Sequence, residues 1–446
     1  VQQKEVVETL KAMRMVKEQL GCRTLLGVSN ISFGLPNREA VTRTFLTMAL
    51  ENGLDLPIIN PNVPSMLDAI RAFSAHYPQR QDVALFSAPG RTEIGGNHTD
   101  HQHGCVLAAA VDLETSADVR LTGGGSIRVL SEGYAPVEIP LRDLTPRPEE
   151  CGTTAALVRG VAAAFAARGA ALGGLEVHVR SDVAPGSGLS SSAAFEVLLA
   201  RVLNALFCGG RLSPIELAQI SQRAENVYFG KPCGLMDQLV SSMGGLVYID
   251  FADPAQPAAE RVSFDFSHCG HALCIVSCGA DHANLTADYA AIPDELARVC
   301  AVFGKTYLRE VDEEDFCRQL PAVRAAAGDR AVLRAMHVYD ENRRVRAEVQ
   351  ALRAGDFARF LALVNASGDS SWEYLQNITP AGAAARQDMA LTLALCRRLL
   401  AGTGAVRVHG GGFAGTALSI VPEERIPCFT AGLERALAPG CCRVLR

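Results

Sequence analysis

The sequence predicts a protein of more than one domain in which helices and strands are mixed. Its 446 residues are enough for two or three domains with sizeable cores, because the buried fraction rises with chain length. A composition of 48% hydrophobic and 20% charged residues is close to that of ordinary globular proteins. The pattern of apolar residues also changes twice along the chain. We therefore place domain boundaries at 74–75 and 260–261.

Residues 1–74 have the pattern of an α/β segment. A charged amphipathic helix opens it, a short strand is predicted from Thr24 to Val28, and a helical pattern follows before the proline-rich stretch LPIINPNVPSM. The opening helix lacks the apolar centre of a signal peptide.

Charge and cysteine usage exclude several classes of function. A net charge of −6 gives no general attraction for nucleic acid or an anionic membrane surface. The 14 cysteines are scattered, which indicates reduced thiols and not a disulfide framework. No apolar run approaches the roughly 20 residues that cross a bilayer. We therefore expect a cytoplasmic monomer that binds small molecules and neither nucleic acid nor membrane.

The first stretch with chemical character is VAPGSGLSSSAAFEVLLARVL, residues 183–203, which follows the strand pattern LEVHVRSDV. Glycines let the backbone approach a ligand, a helix start presents free N–H groups, and serine hydroxyls suit phosphate or a metal ion. The stretch is predicted to bind an anion, and an ordinary serine-capped helix is the alternative. It is not the GxxxxGK[ST] loop, because no lysine follows its second glycine.

The second stretch, SAPGRTEIGGNHTDHQHG at residues 87–104, combines Arg91 with a cluster of short polar side chains. Paired donors and acceptors of this kind suit a hydroxyl-rich ligand such as a sugar. Its three histidines and Asp100 could instead ligate a metal, although their spacing matches no common structural zinc site. A solvated polar loop is the third interpretation.

The third stretch, AENVYFGKPCGLMDQLVSSMGG at residues 224–245, carries Glu225 and Asp237 around a Gly-Lys-Pro turn. Asp237 lies where a loop becomes a helix, and Asp is a common helix N-cap. Alternatively, a carboxylate beside a cation stays ionised and acts as a base or an orienter for a hydroxyl.

Together with HGGGFAGTAL at residues 409–418, these stretches resemble in order and spacing the GHMP small-molecule kinases, and the galactokinase family among them. The resemblance covers about residues 76–446. It implies an α+β fold with a ribosomal-protein-S5-like N-terminal domain at 75–260, a ferredoxin-like C-terminal domain at 261–446, and an active site between them. The implied reaction is ATP-dependent phosphorylation of galactose, or a close hexose relative, at the C1 hydroxyl.

The resemblance also implies roles for matching residues. Asp237 would accept the proton of the C1 hydroxyl, while Arg91 lowers its pKa and stabilises phosphoryl charge. Ser192 and Glu225 would ligate Mg²⁺ at the ATP phosphates. The ATP phosphate loop would comprise Pro185, Gly186, Ser187, Gly188, Leu189, Ser190, Ser191 and Ser192. The sugar would be held by Asn97, His98, Asp100 and Tyr289.

The chain departs from the usual signature G-R-x-N-L-I-G-E-H-T-D-Y. It has Glu93 for Asn, Gly95 for Ile, Asn97 for Glu and His101 for Tyr. Asn97 takes the place of a carboxylate that typically grips the C6 hydroxyl, and YAAIP replaces the usual Y-N-x-R-R around Tyr289. The sequence therefore determines the kinase chemistry more closely than the choice of sugar.

Two further interpretations are a sensor without catalysis and a zinc site. A galactokinase-like sensor would bind sugar and ATP without turnover, but the intact serine run, Arg91 and Asp237 favour catalysis. The residues between 268 and 278 include metal-ligand types, but CIVSC has the pattern of an apolar strand and no second Cys-x-x-Cys follows. These candidates are His268, Cys269, His271, Cys274 and Cys278.

Residues 1–74 resemble the end of the pterin-binding barrel of cobalamin-dependent methionine synthases. The resemblance rests on LGVSNISFGLPNREAVTRTFLTMALENGLDLPIINPNVPSMLDAIRAF, in which Asn30 matches a pterin-contacting asparagine. A (β/α)₈ barrel must close to bury its strands, and only one or two of its units are present. We therefore expect no methyl transfer, and apolar faces that lack their native partners.

Overall fold

The computed structural model describes residues 6–20, 22, 24–28, 31, 38–59, 84–184, 186–264, 266–280 and 285–445. The chain divides into two units. The first comprises Val1–Ser87, Ser116–Leu144 and Ala171–Arg180, and the second comprises Ala88–Thr115, Thr145–Ala170 and Ser181–Arg446. This division does not follow the predicted boundaries, of which 74–75 lies outside the described residues. Both boundaries stay predictions.

Most helices are in the second unit, and two of them carry π-helical turns at their C-terminal ends, Ala224–Phe229 and Ser371–Leu375. The α-helices are α1 Val6–Leu20, α2 Arg38–Glu51, α3 Thr154–Ala167, α4 Ser191–Phe207, α5 Pro214–Arg223, α6 Met236–Met243, α7 Thr286–Val302, α8 Glu313–Arg318, α9 Leu320–Ala327, α10 Asp329–Arg353, α11 Phe357–Ser370, α12 Asp388–Leu400 and α13 Ile426–Ala436.

Among the described residues, most strands lie from Ala84 onward. The strands are β1 Leu25–Gly27, β2 Leu56–Ile58, β3 Ala84–Gly95, β4 Cys105–Leu121, β5 Ser126–Ser131, β6 Val137–Pro140, β7 Leu175–Ser181, β8 Leu246–Asp250, β9 Ala258–Arg261, β10 His271–Ser277, β11 Ala405–His409, β12 Thr416–Pro422 and β13 Cys442–Leu445.

In the first unit, α1 and α2 pack beside the parallel pair β1–β2. Their contact buries Leu10, Met13, Phe45 and Leu46. The predicted opening helix is confirmed, and the strand predicted at 24–28 is one residue shorter at each end. The buried side chains pack against each other, while Leu20 and Leu25 remain exposed. That the apolar faces lack their native barrel partners stays a prediction. Asn30 lies outside the described residues.

The first unit also contains β5, which pairs with β6 in antiparallel and with β7 in parallel orientation. Alternate residues of these strands are buried, including Ile127, Val129, Leu175 and Val177. This is the period of two expected of a strand with one covered face. The strand predicted from LEVHVRSDV is therefore confirmed as β7.

In the second unit, a four-stranded antiparallel sheet has the order β11-β12-β10-β13. The antiparallel pair β11–β12 forms a hairpin around HGGGFAGTAL, and β10 is the apolar strand predicted from CIVSC. Cys274 is fully buried in β10. Among the described residues, no group of three or more His, Cys, Asp or Glu side chains is arranged to hold a metal ion.

Strands β3, β4 and β12 and helices α10 and α11 share one core in the second unit. Ile94 of β3, Leu107 of β4, Val345 of α10, Phe360 of α11 and Leu418 of β12 are buried in a single cluster. Burial of such side chains stabilises a fold by about 1.5–3 kcal/mol each. This cluster fixes the end of β3 and the hairpin relative to each other. In the described part of the chain, no helix has the length and apolarity needed to span a membrane.

Candidate active site

The predicted phosphate loop stands immediately before α4. Gly186 and Gly188 have φ of 74° and 76°, and Ser190 also has a positive φ of 59°. A Cβ on Gly188 would lie 2.6 Å from Thr416 Oγ1 and 3.1 Å from His409 Nδ1 of the hairpin. Only glycine fits this approach of the loop to the hairpin. The loop then presents the N-terminus of α4, where unpaired N–H groups attract anions.

Internal contacts hold the rest of this loop. Ser187 Oγ donates to the carbonyl of Ala184 at 2.6 Å. Leu189 is buried, and its carbonyl accepts from the backbone N–H of Arg91 at 3.0 Å. Pro185 lies outside the described residues. The loop is thereby joined to strand β3.

Arg91 and Asp237 form the central ion pair of the site. Arg91 Nε lies 2.7 Å from Asp237 Oδ1, and Arg91 Nη1 donates to the carbonyl of Gly188 at 2.6 Å. Ser190 Oγ donates to the other carboxylate oxygen of Asp237. The Arg91 side chain is 9% exposed and that of Asp237 is 33% exposed, so the carboxylate remains accessible to a ligand.

These contacts exclude two simpler interpretations. Leu235, not Asp237, is the N-cap residue of α6, and Asp237 is the second residue of the helix. The N-cap alternative for Asp237 is therefore wrong. Ser190 occupies the N-cap position of α4, but its hydroxyl makes no capping hydrogen bond. The serine-capped helix is wrong as well, since this hydroxyl binds Asp237.

The environment of Asp237 keeps its carboxylate charged. Burial alone raises the pKa of Asp237, but the charge and hydrogen bond of Arg91 and the hydrogen bond of Ser190 outweigh burial. The net pKa lies below its usual value. An ionised carboxylate that is partly open to solvent can orient a hydroxyl and accept its proton.

Ser192 and Glu225 come together beside this pair. Ser192 is on the first turn of α4, and Glu225 lies in the π-helical turn that follows α5, a distortion often found at functional sites. Ser192 Oγ is 3.2 Å from Glu225 Oε1, which also pairs with Lys231 Nζ at 3.2 Å. One hydroxyl and one carboxylate are hard oxygen donors of the kind Mg²⁺ prefers, and Mg²⁺ commonly uses few protein ligands besides phosphate and water.

Asp100 approaches the loop that leads to Asp237. A Cβ on Gly234 would lie 2.6 Å from Asp100 Oδ2, so a side chain at position 234 would displace the Asp100 carboxylate. His101 Nε2 is 3.8 Å from Asp100 Oδ1. The Asp100 side chain is 14% exposed. The structure therefore brings the second and third predicted stretches together.

His98 and Tyr289 both contact the glycine-rich hairpin. His98 Nε2 donates to the carbonyl of Gly411 at 2.9 Å, and Tyr289 Oη donates to the carbonyl of Gly412 at 2.7 Å. The Tyr289 ring lies against Gly411, where a Cβ would be 2.8 Å from Cε1. Burial, as the largest cause, lowers the pKa of His98 to about 4. At neutral pH the ring is thus uncharged and Nδ1 is an acceptor.

Comparison with known proteins identifies the family. The model "GHMP kinases N terminal domain" matches residues 156–245, and "Galactokinase galactose-binding signature" matches residues 71–121. A galactokinase of Streptomyces coelicolor is 32% identical over 363 residues, which cover 79% of this chain and 88% of the relative. A galactokinase of Mycobacterium tuberculosis is 33% identical, over 76% of this chain and 89% of the relative. The chain belongs to the galactokinase family.

Solved structures show that the fold is shared as well. The galactokinase of Lactococcus lactis, crystallised with galactose, superposes with a TM-score of 0.69 and 24% identity, over 85% of this chain and 97% of that one. A mevalonate kinase of Methanococcus jannaschii gives a TM-score of 0.57 at 13% identity, over 82% and 98%. The GHMP kinase fold implied by the sequence is confirmed.

Asn97 departs from the galactokinase signature, and it is buried more deeply than expected of a residue that contacts a bound sugar. It is 1% exposed. Its Nδ2 donates to Glu93 Oε1 at 3.2 Å and to the carbonyl of Gly410 at 2.7 Å. Its Oδ1 accepts from Asn377 Nδ2 at 2.8 Å and from Ser371 Oγ at 3.2 Å. The amide has no donor or acceptor left, so a sugar contact requires these bonds to break and stays a prediction.

Arg407 supports the region around Glu93 and Asn97, although the resemblance to galactokinases gave it no role. Its side chain is fully buried in β11. Nη2 pairs with Glu93 Oε1 at 2.6 Å, and Nη1 donates to the carbonyl of Ile94 at 2.5 Å. Two strands of different sheets are joined by this guanidinium. The signal available beforehand was a single arginine in the otherwise apolar run of strand β11.

The presence of glycine at position 95 is explained by Glu348, a residue for which the sequence predicted no role. A Cβ at position 95 would overlap the carboxylate of Glu348, which comes from α10 and is fully buried. Burial, as the largest cause, raises the pKa of Glu348 to about 8. The isoleucine of the family signature does not fit beside this side chain.

Proposed function

We propose that this protein transfers the γ-phosphate of ATP to the C1 hydroxyl of galactose and releases galactose 1-phosphate and ADP. The observation that carries the proposal is the Arg91–Asp237 pair, whose carboxylate stays accessible while its guanidinium is bonded to the phosphate loop at Gly188. The relatives named galactokinase, at 32–33% identity, support galactose as the sugar.

ATP is proposed to bind with its phosphates at the loop 185–192 and the N-terminus of α4. The positive end of the helix and the free N–H groups of the loop favour the phosphate charge. Ser192 and Glu225 would hold Mg²⁺, which when bound neutralises charge on the β and γ phosphates. Lys231, 3.2 Å from Glu225, adds a positive charge at the same place.

Asp237 is proposed to act on the C1 hydroxyl. Because its pKa lies below the usual value, Asp237 is a weak base before the reaction. It first orients the hydroxyl by accepting its hydrogen bond, and takes the proton once the new phosphorus–oxygen bond has made that proton acidic. Arg91 stabilises the charge that develops on the transferred group, because a guanidinium fork can bond carboxylate and phosphoryl oxygens together.

The sugar is proposed to lie against Asp100, His98 and Tyr289. Asp100 is expected to accept from the C3 and C4 hydroxyls, and the neutral His98 offers Nδ1 as a further acceptor. Tyr289 holds one wall through its contact with the hairpin. His101, in place of the signature tyrosine, adds a polar group next to Asp100.

A coupled assay of ADP release over a panel of hexoses tests this function. Galactose should give the highest kcat/KM, and galactosamine, glucose and mannose should give less. Binding of galactose and ATP without any ADP release would indicate a sugar sensor. A higher kcat/KM for another hexose would replace galactose as the substrate and leave the kinase chemistry in place.

A further inference from the structure

A buried chain of three side chains lies under the candidate site, and two of them, Glu196 and Gln238, have no part in the proposed phosphoryl transfer. Glu196 and Gln238 are fully buried, and Glu225 is 2% exposed. Gln238 Nε2 lies 2.7 Å from Glu225 Oε2 and 3.2 Å from Glu196 Oε2. A weaker acceptor, Cys233 Sγ, is 3.6 Å away. The two N–H groups of one amide thus reach two carboxyl groups.

The orientation of the Gln238 amide follows from these distances. If the amide were turned by 180°, its oxygen would lie against the carboxylate of Glu225, and two acceptors would repel each other. With the nitrogen in this position, two buried oxygens have no hydrogen-bond partner within the described ranges, Gln238 Oε1 and Glu196 Oε1. Leaving a buried acceptor unpaired is unfavourable, so two at one contact require a reason.

Protonation of Glu196 would explain both unpaired oxygens. A neutral carboxyl group and a primary amide can form a cyclic pair, in which the amide N–H donates to one carboxyl oxygen and the carboxyl O–H donates to the amide oxygen. Both unpaired oxygens are then satisfied. Burial, and after it the neighbouring charge of Glu225, raise the pKa of Glu196 well above its usual value, in agreement with a neutral group.

We propose that Glu196 is a positioning residue which, as a neutral acid paired with Gln238, holds the Glu225 carboxylate in place beside Ser192. The pair directs the second N–H of Gln238 to Glu225 Oε2 and leaves Oε1 facing Ser192 and Lys231. The site then carries one negative charge instead of two, which suits the approach of anionic phosphates. That Glu225 binds a divalent cation rests on the proposed function.

Two substitutions of Glu196 distinguish a neutral, hydrogen-bonding Glu196 from one that acts through a negative charge. Glu196→Gln keeps the shape and replaces the O–H donor by an N–H donor, so the cyclic pair survives. It should leave kcat and the KM for Mg²⁺-ATP within about 3-fold of wild type. Glu196→Leu removes both bonds to Gln238 and should raise the KM for Mg²⁺-ATP by about 10–100-fold, the usual effect of losing a residue that supports a metal ligand. Glu423→Gln, at an exposed position, is the matched control.

A binding measurement provides a readout without turnover. Calorimetry with a non-hydrolysable ATP analogue and Mg²⁺ should show the same order, with Glu196→Gln near wild type and Glu196→Leu weakened. Equal damage from Gln and Leu would mean that the negative charge of Glu196 matters, and the proposal would be overturned. An unchanged affinity in Glu196→Leu would overturn it too.

Infrared spectroscopy tests the proton directly by comparing wild type with Glu196→Gln and with the control Glu423→Gln. Because the raised pKa of buried Glu348 gives a protonated-acid signal common to all three proteins, the readout is a difference spectrum. At neutral pH, wild type minus Glu196→Gln should contain a carbonyl band of a protonated carboxylic acid, and wild type minus Glu423→Gln should not. Absence of such a band would contradict the neutral acid even if the leucine variant fails to fold. If the band is present but the wild type phosphorylates no sugar, the proposed function has failed and the pair stands.

Discussion

Positions 93 and 97 carry Glu and Asn where the galactokinase signature has Asn and Glu. Because Asn97 Nδ2 donates to Glu93 Oε1, the pair keeps one amide and one carboxylate with their places exchanged. The carboxylate at position 93 has Arg407 as a partner at 2.6 Å. A carboxylate at position 97 would instead face the carbonyl of Gly410. The charge of Arg407 therefore favours the carboxylate at position 93 and the amide at position 97.

Asn97→Glu should destabilise the fold. The substitution removes the two N–H donors and places a second carboxylate beside Glu93, a change worth about 2–4 kcal/mol in the free energy of unfolding. Denaturant unfolding measures it, and the double variant Glu93→Asn/Asn97→Glu should recover part of the loss.

The same variant also tests the predicted role of position 97 in sugar choice. Galactose, 6-deoxygalactose and galacturonate are compared by kcat/KM. If the relative values in Asn97→Glu equal those of wild type, position 97 does not select at the C6 hydroxyl. The assignment of Asn97 to the sugar site would then be wrong.

Asp237→Asn should abolish turnover and leave ATP binding within about 3-fold of wild type. Loss of a positioned base costs about 10²–10⁴-fold in kcat. Asp329→Asn, whose side chain is 66% exposed in the ion pair with Arg324, is the control. A tenth or more of the wild-type kcat in Asp237→Asn would rule out the catalytic role.

Arg91→Lys should also reduce kcat, by about 100-fold or more, because one ammonium cannot bond Asp237, Gly188 and a phosphoryl group with the geometry of the fork. A second effect concerns pH. Arg91 opposes the effect of burial and lowers the pKa of Asp237, so weakening this pair raises it. The acid limb of kcat/KM should therefore move to higher pH in Arg91→Lys. An unchanged limb would show that Arg91 does not set the charge of Asp237.

At the scale of elements, the site depends on how closely the loop before α4 approaches the hairpin β11–β12. Gly188 touches Thr416 and His409, whereas Gly186, two residues earlier, has open space around its Cβ position. Both have positive φ, so both substitutions by alanine carry a similar backbone cost of about 1–2 kcal/mol. A difference in the KM for ATP between the two alanine variants therefore reports the contact of Gly188 with the hairpin.

Gly188→Ala should therefore raise the KM for ATP by about 10-fold or more beyond the effect of Gly186→Ala, since each 1.4 kcal/mol of lost binding is tenfold. Steady-state kinetics with galactose in excess measures both variants. Equal KM values in the two variants would mean that the hairpin does not restrain the phosphate loop.

At the scale of the whole molecule, residues 1–74 are predicted to be dispensable for catalysis. Their described part buries its own small cluster around Leu10 and Phe45. Several apolar side chains there remain exposed, among them Leu20 at 69% and Leu25 at 62%. Residues 75–446 alone should keep the kcat of the full chain within about 3-fold and melt in a cooperative transition.

Thermal melting, limited proteolysis and galactose phosphorylation compare the two proteins. A truncated chain that does not fold, or that loses activity while the full chain is active, would show that the segment has become part of the kinase. Such a result would also move the predicted boundary at 74–75.

The sequence by itself determined the family and predicted the phosphate loop and the catalytic pair, because glycines, serines and charges at fixed spacing record local backbone and ligand requirements. It could not show that Ser190 binds Asp237, or that Asn97 is enclosed by Glu93 and Gly410. The contacts of Ser190 with Asp237 and of Asn97 with Gly410 join residues far apart in the chain. The sequence shows Glu196 as a lone carboxyl group in an apolar helix, but it does not show that Glu196 pairs with Gln238. Only the tertiary structure decides which buried polar groups meet, and the cost of leaving them unpaired makes those meetings specific.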